Sequence, residues 1–193
     1  MTIDAALARR IALVAFDVDG TLTDNGVYVG APATGSDTDA RLEFKRFDIQ
    51  DGLGIVMLRR AGLTIALISA RHSEATTLRA RELGVQHLMQ GRGVKKVPTL
   101  QALCEQLGIS MDAAAFMGDD LADIAVMQRV GLSAAPSNAV AEVKAVATVQ
   151  LEREGGRGAA REFVEVLLRA RGTWDALVAE YVAESAGAEA SVA

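Results

Sequence analysis

The chain has 193 residues, half of them hydrophobic and 23% charged, with a formal net charge of -5. That is enough chain for one domain with a full hydrophobic core. The acidic balance excludes the basic surface that nucleic-acid binding requires and disfavours an anionic membrane. No apolar run approaches the roughly 20 residues of a membrane span. The N-terminal MTIDAALARRIALVAFDVDG runs from a short apolar segment into acidic residues, unlike a secretory leader. A single cysteine, Cys104, rules out an internal disulfide. As a small buried residue on a helix it fits a reducing cytoplasm, the expected location.

Taken in chain order, residues 11–16 (IALVAF) form an apolar run, the pattern of a strand buried on both faces. The residues that follow break the alternation of strand and helix. Residues 27–29 and 42–47, joined by the polar stretch APATGSDTDA, read as a β-hairpin with a long tip. This insert, about 25–47, follows the first strand directly and is expected over the sheet's C-terminal edge, where open α/β sheets bind ligands. It is too small to be a separate lid domain.

Residues 52–60 read as a helix, 64–69 (TIALIS) as a second buried strand, and 73–83 as a helix ended by Gly84. A strand at 85–89, a helix at 97–107 ended by Gly108, a strand at 113–117, a helix at 121–129 ended by Gly131 and a brief strand at 132–134 follow. After the glycine-rich GGRG come two helices, 159–169 and 173–184. The expectation is one α/β domain over 1–184, three-layered and Rossmann-like, with a parallel central sheet, right-handed crossovers and a small β-hairpin cap insert. The small, polar residues 185–193 are expected to be a disordered tail.

The end of the first strand carries DVDGTLTD. Asp17 and Asp19 share one face in strand geometry, and two unpaired carboxylates so close repel each other. A cation removes that cost, and oxygen ligands with an open position suit Mg²⁺. Gly20 permits a tight turn and close approach of a ligand to the backbone. A solvated strand end with an Asp-Gly turn has the same local signature. The other strand ends decide between them. The second strand ends in Ser69, with Arg71 beyond it; Lys95 and Lys96 open a helix; the strand at 113–117 runs into Gly118-Asp119-Asp120, with Asp123 one helical turn on. Taken one at a time, these are a helix cap, a solvated face and an N-cap. Together they set a hydroxyl, a lysine and a second acidic cluster on one sheet edge, an arrangement for phosphoryl transfer.

In this order DVDGTLTD, the strand ending in Ser69, the lysine and GDDLAD resemble the four motifs of haloacid dehalogenase (HAD) phosphatases. Three further stretches, FDIQDGLGI (47–55), LMQGRGVKK (88–96) and GGRGAAREF (155–163), resemble the small-capped subgroup of 3-deoxy-D-manno-octulosonate 8-phosphate (KDO 8-phosphate) and nonulosonate 9-phosphate phosphatases. The resemblance implies Asp17 as the nucleophile that forms an aspartyl-phosphate. It implies Asp19 as the acid and base that protonates the leaving alkoxide and then activates water, touching Mg²⁺ through its carbonyl. Ser69 would hydrogen-bond the phosphoryl oxygens, and Asp119 would complete a metal site of Asp17, Asp19 and Asp119, supported by Asp120 and Asp123. The motif lysine is Lys95 when counted from Gln90-Gly91 and Lys96 when counted back from the helix; the downstream register favours Lys96. The substrate loop falls on Asp48, Asp51 and Gly52, and Arg71 and Arg79 would meet the sugar acid. The resemblance also implies a homotetramer in which a neighbour closes the site.

The chain departs from the octulosonate phosphatases at Gln50 and Val56, where those proteins carry arginine, in its longer hairpin tip, and in Ser69-Ala70, where Thr-Gly is commoner. These differences bear on the substrate, a small phosphorylated metabolite in either case, and leave the chemistry intact. A phospho-accepting receiver module also sets acids, a hydroxyl and a lysine on a parallel sheet, but it lacks both the second carboxylate of Asp19 and the hairpin. His72, His87, Trp174 and Tyr181 read as structural or packing residues.

Overall fold

A computed structural model describes residues 2–30 and 42–187. The elements run α1 (Ala5–Arg10), β1 (Leu13–Phe16), β2 (Tyr28–Gly30), β3 (Leu42–Phe44), α2 (Ile49–Arg60), β4 (Thr64–Ser69), α3 (Glu74–Glu82), β5 (His87–Gln90), α4 (Lys96–Leu107), β6 (Ala114–Met117), α5 (Leu121–Met127), β7 (Leu132–Ala135), α6 (Ala141–Val146), β8 (Val149–Gln150), α7 (Ala159–Arg171) and α8 (Trp174–Ser185).

All four residues of β1 are buried. A strand without a polar face needs a partner on each edge and helices on each side. β1 pairs in parallel with β4 on one edge and β6 on the other. The full order is β5-β4-β1-β6-β7-β8, and every pairing is parallel.

Alternate strand residues point to opposite faces, and the core divides accordingly. Val14 and Phe16 of β1, Ile65 and Leu67 of β4, and Ala115 and Met117 of β6 pack with residues of α1, α2, α7 and α8. Leu13, Ala15, Ala66, Ile68, Ala114 and Phe116 pack with α4, α5 and α6. The result is the expected three-layer α/β sandwich. On α7 the buried residues Ala160, Phe163, Val164, Leu167 and Leu168 follow helical spacing. Phe163 meets Phe16 edge-on, with centroids 6.5 Å apart.

Register brings the strand ends level. Phe16 lies beside Leu67 and Met117, so Asp17, Ser69 and Asp119 all emerge at the C-terminal edge. The Asp17 N–H donates to the Met117 carbonyl at 2.9 Å. The hairpin β2–β3 rises from the connection between β1 and α2, closed at its base by a bridge between Thr23 and Phe47. Its tip, 31–41, lies outside the described residues, as do 188–193 of the predicted disordered tail. The first residue of that tail, Ser185, still belongs to α8.

Three elements were not expected from the sequence: α1, α6 and β8. They are six, six and two residues long, too short for periodicity to declare itself. α1 forms because Asp4 accepts a hydrogen bond from Leu7 N at 2.8 Å and Ala8 is buried in the core. α2 begins three residues before its predicted start. Gly52 and Gly54 mask the opening turn, but Asp48 caps it by accepting from Gln50 N at 2.8 Å. No helix among the described residues is long and apolar enough to cross a membrane.

Candidate active site

Asp17, the first residue past β1, is buried. Lys96 opens α4 and reaches it, Nζ to Oδ1, at 2.7 Å. The same ammonium binds Asp123 Oδ1 on α5 and lies 5.8 Å from the centroid of the Phe116 ring. Lys95, the other candidate for the motif lysine, is exposed at the N-cap of α4. Lys96 is therefore the lysine that faces the carboxylates.

Asp123 has a second task. Its Oδ2 accepts from the backbone N–H groups of Asp119 (3.1 Å) and Asp120 (3.2 Å), closing a capping box at the start of α5. That fixes the loop carrying Asp119. The Asp119 carboxylate accepts from Thr21 Oγ at 3.1 Å and lies against Gly20, where an added Cβ would sit 2.0 Å from Asp119 Oδ2. Gly20 also has a φ of +89°, so the DVDG turn requires glycine on two counts.

The GGRG stretch completes this loop. A Cβ on Gly155 would lie 1.8 Å from the Gly20 carbonyl. Gly156 N donates to Thr21 O at 3.1 Å. Asn138 bridges the two segments, donating to Gly20 O at 2.9 Å and accepting from Gly155 N at 2.6 Å. Asn138 was not anticipated, because a lone asparagine in a loop carries no distinguishing pattern.

Asp19 is not part of the carboxylate cluster. Its Oδ1 meets Lys45 Nζ at 2.5 Å and Arg71 Nη1 at 3.6 Å. Glu43 joins both cations, at 3.8 Å from Lys45 and 3.0 Å from Arg71. Glu43 and Lys45, two residues apart on the second arm of the hairpin, also went unrecognised in the sequence. Their one signal is charge at alternate positions of LEFKRF. Ser69 is buried; its Oγ accepts from Arg71 N and donates to Arg71 O, both at 3.1 Å.

The predicted substrate residues divide into two groups. Arg71 is half-exposed and lines a cavity of about 620 Å³ with Glu43, His72 and Arg92. Asp48, Asp51, Gly52 and Arg79 are taken up by the protein itself. Asp48 caps α2. Asp51 is 2% exposed and accepts from Gly158 N at 3.2 Å and Arg161 N at 2.8 Å, anchoring the start of α7. Arg79 donates to the Asp48 carbonyl at 3.1 Å, over a site where a Gly52 Cβ would lie 2.2 Å from its Nη2. The physical reason is shared: each polar side chain, buried for Asp51 and partly buried for Asp48 and Arg79, has a backbone partner within reach.

Asp17, Asp119 and Asp123 offer carboxylate oxygens all within 4.8 Å of one another. One ammonium against three carboxylates leaves two charges uncompensated. Burial pushes Asp17 up to about 6, with Lys96 pulling it down and Asp123 pushing it up. Burial, then Asp17 and Asp123, push Asp119 up to about 7. For Lys96 burial acts downward, but Asp17 and Asp123 outweigh it and hold the ammonium above the ordinary lysine value. A buried, hard-oxygen donor set short of two positive charges fits a divalent cation such as Mg²⁺.

Comparison with known proteins agrees with this geometry. The family model described as haloacid dehalogenase-like hydrolase matches residues 84–162. The chain is 36% identical over 170 residues to the 3-deoxy-D-manno-octulosonate 8-phosphate phosphatase KdsC of Escherichia coli strain K12, covering 88% of this chain and 86% of that one. With the parallel sheet and its acidic edge, this defines the class: the chain belongs to the haloacid dehalogenase-like hydrolases and is a phosphatase. The particular proteins it resembles are KDO 8-phosphate phosphatases. One is the enzyme of Moraxella catarrhalis, solved with magnesium, phosphate and KDO, with a TM-score of 0.83 at 34% identity over 92% of this chain and 97% of that one. A probable yrbi family phosphatase of Pseudomonas syringae pv. phaseolica also superposes with a TM-score of 0.83, at 39% identity, over 92% of this chain and 96% of that one.

Proposed function

We propose that the chain hydrolyses the phosphate monoester of a sugar acid, KDO 8-phosphate being the leading substrate, by way of an aspartyl-phosphate on Asp17. The observation that carries this reading is the contact between Lys96 and Asp17 beside the buried Asp119–Asp123 pair. Asp17 Oδ attacks phosphorus, and the bond from phosphorus to the leaving oxygen breaks. That oxygen takes the electron pair and a proton from Asp19. In the second half Asp19 takes a proton from water as the water oxygen bonds to phosphorus and the bond to Asp17 breaks. Lys96 holds Asp17 in place and offsets negative charge as it develops. Ser69 donates to a phosphoryl oxygen once its hydroxyl leaves Arg71.

Mg²⁺ would be held by Asp17 and Asp119 with the backbone of Asp19, and would supply Lewis-acid stabilisation of the phosphoryl oxygens. Asp123, bound to Lys96 and to the backbone of the loop, supports that set without leaving its helix cap. Magnesium in the Moraxella catarrhalis relative supports this choice of ion.

The cavity beside Arg71 is the place for the sugar acid, with its guanidinium toward the carboxylate. Gln50, which accepts from Arg153 at 3.2 Å, and Val56 stand where octulosonate phosphatases carry arginine; this favours a second reading, a nonulosonate 9-phosphate, with the same chemistry. Tyr28, Val29, Leu42 and Phe44 are each more than half exposed on the hairpin, which supports a tetramer whose neighbours cover them. The lone buried Cys104 supports a cytoplasmic location.

The test is a panel of sugar acid phosphates and common sugar phosphates assayed with Mg²⁺. A KDO 8-phosphate preference is expected; a preference for a neutral sugar phosphate removes the sugar-acid reading. Asp17→Asn is expected to abolish turnover with the fold intact, and retained magnesium-dependent turnover removes Asp17 as nucleophile.

A further inference from the structure

Lys45 stands out from the other cations of the protein. It follows β3 on the second arm of the hairpin, and its side chain is 0% exposed. A buried ammonium is costly unless paired. Its partner is Asp19 Oδ1 at 2.5 Å, with Glu43 Oε1 at 3.8 Å. Arg71 approaches the same Asp19 oxygen, at 3.6 Å. Both cations therefore converge on one of the two carboxylate oxygens.

A carboxylic acid that donates a proton carries it on one oxygen, and efficiency depends on that oxygen being held toward the acceptor. An oxygen engaged by an ammonium is the acceptor of that hydrogen bond and is a poor place for the proton. From this geometry we infer that Lys45 is a positioning residue. It clamps Oδ1 of Asp19, leaves Oδ2 to carry the transferable proton, and fixes the side chain toward the reacting phosphate. The hairpin arm thus supplies part of the acid–base machinery as well as cover. The inference rests on the reading of Asp19 as acid and base, and deepens it. In the step concerned, the proton passes from Asp19 Oδ2 to the leaving oxygen as the phosphorus–oxygen bond breaks, and Lys45 neither gains nor loses one.

The experiment measures kcat/KM for two esters, p-nitrophenyl phosphate and phenyl phosphate, with the full-length protein and Mg²⁺. The nitrophenolate departs without a proton, whereas the more basic phenolate benefits from one. Lys45→Met is expected to lower kcat/KM for phenyl phosphate on the order of 10- to 100-fold, within what general acid catalysis contributes, and for p-nitrophenyl phosphate by less than about threefold, the proton there being unneeded. In an Asp19→Asn background the same substitution is expected to cost nothing further. Equal losses on both esters, or losses that multiply with those of Asp19→Asn, would overturn the positioning role. Lys45→Gln, whose shorter and neutral side chain gives up the ammonium contact with Oδ1, carries the same comparison if the methionine variant does not fold. The Asp19 reading is judged separately. If Asp19→Asn alone lowers both esters equally, that reading falls and the role of Lys45 falls with it. If Asp19→Asn discriminates between the esters and neither Lys45 variant does, only the present inference falls.

Discussion

Lys96 is the residue on which most of the site's electrostatics turns. It is the one side-chain cation bonded to Asp17 and Asp123 among the described residues. Removing it leaves two buried carboxylates without their shared cation, a change that costs about 3–5 kcal/mol. Lys96→Met is expected to lower the stability of the metal-free protein by about that amount and to lose magnesium-dependent turnover. Chemical denaturation with and without Mg²⁺ checks the first part. Part of the loss should return with the cation, because a divalent ion replaces the missing positive charge. An unchanged denaturation midpoint would show that the ion pair contributes no net stability.

At the scale of elements, α7 is fixed at both ends of its argument: by its apolar stripe against β1 and by Asp51 at its first turn. Asp51 reaches back from α2 to two backbone N–H groups that the helix cannot satisfy for itself. The same α7 entry follows the GGRG segment, which lies on the Gly20 turn. Asp51→Ala is expected to destabilise the protein by about 1–3 kcal/mol, the cost of leaving buried donors unpaired. It should leave the preference between sugar acid and neutral phosphates unchanged. Thermal melting and the substrate panel read the two effects separately. A shifted preference with no loss of stability would return Asp51 to the substrate loop.

For the molecule as a whole, ionisation of the acidic site opposes folding. Burial raises Asp17 from 3.8 to about 6 and Asp119 from 3.8 to about 7. Between pH 4 and 7 the folded, metal-free protein therefore holds protons that the unfolded chain has released. Stability from this site is present at low pH and falls as pH rises through that window, by about 1.4 kcal/mol per pH unit for each proton. A magnesium ion held by Asp17 and Asp119, as proposed, would compete with the same protons. It is expected to raise the melting temperature more at pH 8 than at pH 5, and the difference should shrink in Asp119→Asn. Melting curves at the two pH values, with the ion and with a chelator, test this. An equal magnesium effect at both pH values would place the ion elsewhere.

The alternation of strands and helices, the acidic end of β1 and the positions of Ser69, Lys96 and Asp119 could all be read from contiguous sequence. Each rests on local rules: apolar runs bury on both faces, glycine ends helices, and chemistry gathers at the C-terminal ends of parallel strands. The downstream register already favoured Lys96 over Lys95; the physical reason came from the tertiary structure, in which helix phase at the start of α4 turns Lys96 toward Asp17 and leaves Lys95 exposed. Only the tertiary structure placed Asp51 on α7, Asn138 on Gly20, and Lys45 on Asp19. Those partners lie between 26 and 118 residues apart in the chain. A polar side chain meets its partner across such distances according to which buried group is left unsatisfied nearby, and that is settled by packing, which no local pattern records.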